Sequence, residues 1–255
     1  MRHVVPSRGP CSGKLANSRH NFQFLMLGHS RGRGLLCQSV FREYNAVMFL
    51  TVYYLLALVL ILTLHEAAHA WVANRLGDPT AQRAGRVSLN PMRHLSLLGT
   101  LMLFIAGIGW GKPVPVNPRN FKNPVRDEAL TAAAGPIANL LMAIVAAIPL
   151  SYAPSDGYWG VLILFSSAVL DLSLVLFLFN MLPIPPLDGS KFIAAFIPFK
   201  YQASYQGFLQ QSLPYFIAFV VIDLYIFGRI FGFSIIWTAV STATFWLKTA
   251  ILVVV

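Results

Sequence analysis

Two histidines and a glutamate lie close together in the sequence His65-Glu66-Ala67-Ala68-His69. On a helix, residues i and i+4 share one face, so the two imidazoles converge on one point. Two imidazole nitrogens at this spacing can bind Zn²⁺, with the intervening carboxylate beside the metal as a general base. The pattern therefore predicts metal-assisted hydrolysis, with His65 and His69 as zinc ligands and Glu66 as the catalytic residue.

The surroundings of this motif favour a metal site over a purely structural role. The motif ends an apolar run that covers residues 47–73. Ionisable side chains are costly inside a membrane-spanning segment, and those that occur there are usually functional. The alternative is a pair of histidines that form hydrogen bonds with neighbouring helices, and three ionisable residues in five positions argue against it.

A catalytic zinc takes three protein ligands and keeps a fourth position for water, so a third ligand is expected on another segment. Asp188 is the strongest candidate. The prolines at 183, 185 and 186 end the preceding helix, and Gly189 allows the backbone to approach closely. Asp188 could also act as the N-cap of a helix that starts at Ser190, and a carboxylate with two oxygens could fill both roles.

The composition predicts a membrane protein. Hydrophobic residues make up 56% of the 255 residues and charged residues only 11%, whereas soluble domains carry about 25% charged residues. From residue 47 onward, apolar stretches approach the roughly 20 residues that a helix needs to cross a lipid bilayer. Of the net charge of +10, residues 1–47 carry +6, and much of the remaining +4 lies in polar loops between apolar segments. Such loop charge usually reflects contact with lipid headgroups, and no basic patch with interleaved aromatics predicts nucleic-acid binding.

The predicted fold is an all-α polytopic membrane protein with four to six transmembrane helices and a short membrane-associated β-hairpin. The spans are predicted at 47–73, 129–152 and 158–182, with one or two more between 213 and 255 and an interruption near Gly228–Gly232. Residues 95–109 could form a brief span or a re-entrant segment. The repeated prolines and alternating valines of residues 109–121 predict the hairpin.

Residues 1–47 differ in character from the rest of the chain. They are basic, rich in Arg, Ser and Gly, and contain one acid, Glu43. We interpret them as a disordered leader, either a targeting presequence or an upstream artefact with the true start at Met48; the second is favoured because Met48 opens directly onto the first span. Residues 48–255 are then one intramembrane metalloprotease domain.

Taken together, the motifs resemble those of the site-2 protease family of intramembrane zinc metalloproteases. His65-Glu66-Ala67-Ala68-His69 is followed by Asp188 within FNMLPIPPLDG, and the stretches RVSLNPMRH (86–94), GWGKPVPVNPRNF (109–121) and GPIAN (135–139) match its compact bacterial-type members. The similarity covers residues 48 to about 200. Between the motifs there is no insertion large enough for the PDZ-type or paired nucleotide-sensing (CBS) modules of other members.

The resemblance implies a core of three helices that holds zinc between His65, His69 and Asp188, with Glu66 activating water. It further implies that Asn180 lies near the metal, that Asn139 helps to hold an extended substrate, and that Gly135 belongs to the same substrate-binding or site-supporting region. The two asparagines could instead form hydrogen bonds between helices. The implied partner is a membrane-protein substrate with a helix-destabilised transmembrane segment, in the lipid bilayer and without nucleic acid.

Several alternatives stay open from the sequence. A non-proteolytic membrane zinc protein is the other functional class, either a transporter, which would show internal repeats, or a pseudoenzyme, which would lack Glu66. Relative to the family, Ser96 and Leu97 replace an Asp-Pro pair. Asp171 and Asp223 lie in apolar blocks without an assigned role, although Asp171 could pair with Arg229. The bacterial cytoplasmic membrane is the expected location, or an organellar membrane if the leader is a presequence.

Overall fold

The computed structural model describes residues 32–106, 109–154 and 159–255. Residues 53–255 form one compact unit, and the side-chain interactions below all belong to it. Most of the predicted leader, residues 1–47, lies outside the described residues, and its last part, residues 32–47, belongs to the first helix. The leader therefore stays a prediction.

Nine α-helices account for most of the described residues. They are α1 (Gly32–Arg75), α2 (Thr80–Arg83), α3 (Leu97–Ala106), α4 (Pro124–Tyr152), α5 (Trp159–Asn180), α6 (Asp188–Ala194), α7 (Phe199–Gln211), α8 (Leu213–Val221) and α9 (Ile235–Val254). Two 3₁₀ turns (Pro91–Arg93 and Pro118–Asn120) and a π-helical stretch (Ile222–Phe231) complete the regular structure.

Within the described residues, five helical segments are long and apolar enough to cross a membrane. They are Leu50–Arg75, Pro124–Tyr152, Trp159–Asn180, Leu213–Phe231 and Ile235–Val254. This confirms the predicted class, an all-α polytopic membrane protein. Helix α3 is not among the five, because ten residues rise only about 15 Å against a hydrocarbon thickness of about 30 Å.

Helix α4 begins earlier than predicted. The sequence suggested a helix from residue 129 that enters through Gly135-Pro136, but the helix starts at Pro124 and contains both residues in its interior. Proline is favoured in the first helical turn, where its missing N–H group has no partner to lose. As a result, Asp127 and Glu128 belong to the helix rather than to a polar loop, and Glu128 reaches the cavity described below.

The interior between α1, α4 and α5 combines alanines with larger aliphatic side chains. Its fully buried members include Ala57 and Ile61 on α1, Ala143 on α4, and Leu170 and Leu174 on α5. Small residues let membrane helices approach closely without a need for polar contacts. Helix α1, which carries His65 and His69, is therefore held against helix α4 by packing.

The chain after residue 212 forms two spans separated by a left-handed turn. Gly232 has a φ of +75°, a conformation that glycine adopts at little cost, so the interruption predicted near Gly228–Gly232 is confirmed. Asp223 caps α9: it accepts hydrogen bonds from the hydroxyl of Ser234, from the Ile235 amide at 2.8 Å and from the Ile236 amide at 3.3 Å.

Asp171 also has a structural partner, which is not the one suggested from the sequence. Its carboxylate accepts a hydrogen bond from Lys248 Nζ at 2.6 Å, which links α5 to α9. The suggested pair with Arg229 is not formed. This partner could not be read from the local sequence, because Lys248 lies 77 residues further along the chain.

The predicted β-hairpin at residues 109–121 is replaced by a single extended segment. No strand is assigned in the described part of the chain, and the one bridge there joins Leu95 and Gly111. The prolines at 113, 115 and 118 lack the N–H groups that a second strand would need. A residue before proline is restricted to extended conformations, so residues 112–117 remain extended without a paired strand.

Candidate metal centre

Three potential metal ligands from two distant parts of the chain converge in the structure. His65 and His69 lie one turn apart on α1, and Asp188 is the first residue of α6. Asp188 Oδ2 lies 3.3 Å from His65 Nε2 and 3.2 Å from His69 Nε2, and the two Nε2 atoms are 3.0 Å apart. Among the described residues this is the group of histidines and carboxylates whose geometry could hold a metal ion.

The three ligand atoms have the spacing that zinc requires. A tetrahedral Zn²⁺ ion with bonds of about 2.0–2.1 Å keeps its ligand atoms about 3.3–3.4 Å apart, close to the observed 3.0, 3.2 and 3.3 Å. Two imidazoles and one carboxylate are also a common catalytic zinc ligand set, which leaves the fourth position open. The residues present therefore fit zinc.

The orientation of His69 is fixed by a backbone carbonyl on α4. His69 Nδ1 lies 2.7 Å from the carbonyl oxygen of Thr131, and both groups are buried. The carbonyl can only accept a hydrogen bond, so Nδ1 carries the proton and the lone pair of Nε2 points toward Asp188. Such a second hydrogen bond is what normally fixes the tautomer of a metal-binding histidine.

His65 is oriented by the fully buried side chain of Asn139. The amide nitrogen of Asn139, Nδ2, lies 3.1 Å from His65 Nδ1. The amide oxygen, Oδ1, is buried and has no hydrogen-bond partner among the described residues. With the amide turned so that Oδ1 faces the ring, this oxygen accepts the Nδ1 proton and leaves the Nε2 lone pair free for a metal. Asn139 thus contacts a predicted metal ligand, and the role in substrate binding that the resemblance implied stays a prediction.

Asp188 faces the histidines instead of capping its own helix. The N-cap position of α6 is Leu187, and no side chain caps that end. Asp188 Oδ2 lies within 3.3 Å of the Nε2 atoms of both histidines. A carboxylate binds a metal in its ionised form, so Asp188 can complete the ligand set that the two imidazole lone pairs begin.

Two glycines allow the close approaches that the site needs. A Cβ atom on Gly189 would lie 2.3 Å from the carbonyl oxygen of Met181, as expected from its position after the prolines. A Cβ atom on Gly135 would lie 2.3 Å from His69 Nε2 and 2.7 Å from His65 Nε2. Helix α4 therefore presses its bare backbone against both imidazoles at Gly135.

The three ligands open onto a cavity of about 190 Å³ that also contains Glu66. Asn180 lines the same cavity and donates a hydrogen bond to the carbonyl of Leu176 on its own helix, at 3.0 Å. In the described structure Asn180 therefore bonds within its own helix and lines the cavity, and its position near a metal stays a prediction. Glu128 and Lys191 add charged groups to the cavity wall.

The extended segment 112–117 borders this cavity. Pro113, Val114 and Val116 line the cavity. In an extended chain, alternate residues turn their N–H and C=O groups to the same side. Within the described residues, the backbone groups of Val114 and Val116 have no partner, while the intervening prolines offer no N–H group on the opposite side.

The far end of the extended segment is held by a buried aspartate that follows α1. Asp78 accepts hydrogen bonds from the Asn117 amide at 2.7 Å and from the Asn120 side chain at 2.6 Å. Burial raises the pKa of Asp78, but these bonds and those from Thr80 outweigh it and lower the pKa below its usual value. The segment is thus tied to the end of the helix that carries His65 and His69.

Three residues near the site were not singled out from the sequence. Thr131 contributes only a backbone carbonyl, which leaves no signature in the side-chain pattern. Glu128 directly precedes the apolar run that starts at residue 129, so the sequence pattern did not assign it to that helix. Arg86 lies within the RVSLNPMRH motif, and its burial, with 4% of its surface exposed, is visible only in the structure.

Comparison with known proteins shows relatives described as zinc metalloproteases. "Putative zinc metalloprotease YwhC" of Bacillus subtilis (strain 168) is 42% identical over 153 residues, which cover 57% of this chain and 69% of YwhC. A protein with the same description, Rip2 of Mycobacterium tuberculosis (strain H37Rv), is 36% identical over 134 residues, or 50% of this chain and 51% of Rip2. No protein-family model and no solved structure matches the chain.

Proposed function

Because the chain belongs to the zinc metalloprotease family that includes YwhC, we propose that it is an intramembrane endopeptidase of the site-2 protease type. The observation that carries this proposal is the position of the site. His65, His69 and Glu66 lie on a helix apolar enough to span a membrane, and Asp188 meets them at a shared cavity. A peptide bond cleaved there would belong to a membrane-embedded or membrane-adjacent segment of the substrate.

The residues of the chain supply binding, orientation and proton transfer. His65, His69 and Asp188 hold the metal, and the Thr131 carbonyl and Asn139 fix the two imidazole tautomers. When bound, Zn²⁺ would supply Lewis-acid chemistry that polarises the scissile carbonyl and makes water acidic enough to attack near neutral pH. Glu66, on the wall of the cavity, accepts a proton from the attacking water and delivers it to the leaving amine.

The extended segment 112–117 is the element on which the substrate binds. Val114 and Val116 line the cavity, and their backbone groups have no partner among the described residues, so an extended peptide can add to them as a strand. A helical substrate cannot do this, because its own carbonyl and N–H groups already bond to each other. The substrate must unwind locally, and glycine, proline or polar residues in its transmembrane segment lower the cost of unwinding.

The expected location follows from the same considerations. Five helices long and apolar enough to cross a membrane support a site within a bilayer, and the relatives come from Bacillus and Mycobacterium. We therefore propose the bacterial cytoplasmic membrane as the location and a single-span membrane protein as the substrate. A transporter or pseudoenzyme has no specific support, since Glu66 is present beside a complete ligand set.

The test uses the full chain, purified in detergent, and two measurements. Metal analysis should find about one zinc per chain in the wild type and in Glu66→Gln, and none in His65→Ala. Reconstituted with a single-span substrate that carries glycine and proline in its span, the wild type should cleave it, whereas Glu66→Gln should be slower by about 10²–10⁴-fold. Equal cleavage of a matched poly-Leu span would contradict the requirement for unwinding, and a zinc-free, folded wild type would remove the proposal altogether.

A further inference from the structure

Arg86 is a buried arginine that contacts both the catalytic motif and the extended segment. Only 4% of its surface is exposed. One guanidinium nitrogen, Nη2, donates to the carbonyl of Lys112 and lies 4.0 Å from Glu66 Oε2. The other, Nη1, donates to the carbonyl of Pro113 at 3.3 Å. Arg86 thus connects the general base to the near end of the segment that borders the cavity.

The planar guanidinium is suited to this position in a way that other donors are not. It presents several N–H groups in a fixed fork and stays charged when buried. A neutral amide could bond to one carbonyl but would leave Glu66 without a cation. A lysine ammonium could lie near Glu66, but as a point charge on a flexible stem it would not hold two successive carbonyls in place.

The two ends of the extended segment are held independently. Asp78 holds the far end through Asn117 and Asn120. Apart from Arg86, the near end is held by the hydrogen bond from the Lys112 amide to the His94 carbonyl at 2.7 Å and by the bridge between Leu95 and Gly111. Loss of Arg86 therefore loosens the end nearest Glu66 and leaves the other end attached.

We propose that Arg86 is a positioning residue, which fixes the distance between Glu66 and the open edge at Val114 and Val116. A substrate strand bound to that edge then presents its scissile carbonyl at the metal centre with Glu66 in reach. This inference rests on the proposed function. It adds a residue that touches neither the metal ligands nor the substrate and acts through the two groups that it holds.

Kinetics of two variants separate the two contacts of Arg86. Arg86→Gln removes both the charge beside Glu66 and the fork, so kcat should fall, KM should rise, and kcat/KM should decrease on the order of 100-fold. Arg86→Lys keeps a charge near Glu66, so it should recover most of kcat while KM stays high. Both variants should retain one zinc per chain, because His65, His69 and Asp188 are not in contact with Arg86.

The matched control is Arg93→Lys. Arg93 also donates to a backbone carbonyl of the same loop, that of Gly85 at 2.8 Å, but it is exposed and does not contact the site. Its replacement should leave zinc content, kcat and KM at wild-type values. If both Arg86 variants lose zinc, Arg86 has a purely structural role. If Arg86→Gln has wild-type kcat and KM, Arg86 has no positioning role. Either result overturns the proposal.

A double-mutant cycle tests whether Arg86 acts through the open edge. Val114→Pro removes the N–H donor that the edge offers to a substrate strand, so it should raise KM by itself. If Arg86 positions that donor, the rise in KM caused by Arg86→Lys should be smaller in the Val114→Pro background than in the wild type. Fully additive effects on KM would exclude a shared route.

Hydrogen exchange gives a readout that does not depend on cleavage. In Arg86→Gln, the amide of Lys112 at the near end should exchange faster, whereas the amide of Asn117, held by Asp78, should be unchanged. Unchanged exchange at Lys112 overturns the inference. The two proposals can fail separately. If the wild type cleaves no substrate but the Lys112 amide still exchanges faster in Arg86→Gln, the proposed function is wrong and the positioning of this segment by Arg86 still holds.

Discussion

The two halves of the membrane domain use the same kinds of residue for different purposes. Around α1, α4 and α6, two histidines and an aspartate point their ligand atoms at one another, with every separation at or below 3.3 Å. Around α8 and α9, Asp223 is fully used as a helix cap, and Asp171 is paired with Lys248. In the first region the polar atoms leave room for an ion; in the second they satisfy each other.

This difference teaches that an ionisable residue in a span does not by itself mark a functional site. The cost of placing it in lipid can be met by a partner, as for Asp171, or by capping a helix, as for Asp223. Convergence of several ligand atoms with lone pairs directed at one point is the stronger criterion. In this chain, it separates Asp188 from the other two aspartates of the apolar segments.

The largest expected effect sets Asp188 against Asp171. Asp188→Ala removes one of three ligands, so the purified protein should lose its zinc and all cleavage. Asp171→Asn removes a carboxylate charge that faces Lys248 instead of the histidines, and the protein should keep about one zinc per chain. Metal analysis of the two purified variants decides this, and zinc retained in Asp188→Ala would place the third ligand elsewhere.

A smaller but still large effect is expected for Gly135. The added methyl of Gly135→Ala would lie 2.3 Å from His69 Nε2, so α4 must move away or the imidazoles must turn, and zinc affinity should fall sharply. Gly207→Ala is the control, because nothing lies within 4 Å of a Cβ atom there, and alanine favours helix α7. Competition with a zinc chelator measures the zinc affinities of the two variants. Equal affinities would show that α4 moves away from α1 without disturbing the metal site.

The two asparagines should differ in their effect on the metal. Asn139→Ala removes the group that orients His65, and the loss of such a partner weakens metal binding by about 10–100-fold. Asn180→Ala should leave zinc affinity unchanged, because its amide bonds within its own helix. The same chelator competition applies, and a large effect of Asn180 alone would reverse the assignment of the two residues.

The smallest effect is expected for the ion pair between α5 and α9. Asp171 and Lys248 lie on two candidate spans and pair with each other, and replacing such a pair by apolar residues of similar volume is often neutral or stabilising. The double variant Asp171→Leu/Lys248→Met leaves no unpaired charge, so it should keep its zinc and should not lower the free energy of unfolding by more than about 1 kcal/mol. Thermal unfolding in detergent measures this, and loss of zinc would link this region to the metal centre.

The sequence was sufficient where local geometry decides the outcome. The i, i+4 spacing of His65 and His69 predicted their convergence, the long apolar runs predicted the spans, and Gly189 predicted a close backbone approach. It was insufficient where distant segments decide. The partner of Asp171, the carbonyl of Thr131 and the burial of Arg86 depend on tertiary packing, and the early start of α4 placed Glu128 on the cavity wall instead of in a loop.

The alternating prolines of the extended segment also limit unwanted strand pairing with other proteins in the membrane. An exposed strand edge invites pairing with any other chain, which leads to aggregation. With prolines at 113 and 115 and with the Pro113 carbonyl bound to Arg86, this segment can accept a neighbour on one side only. Once a substrate strand occupies that side, the segment 112–117 offers no second edge to another copy, so stacking through this segment ends after one strand.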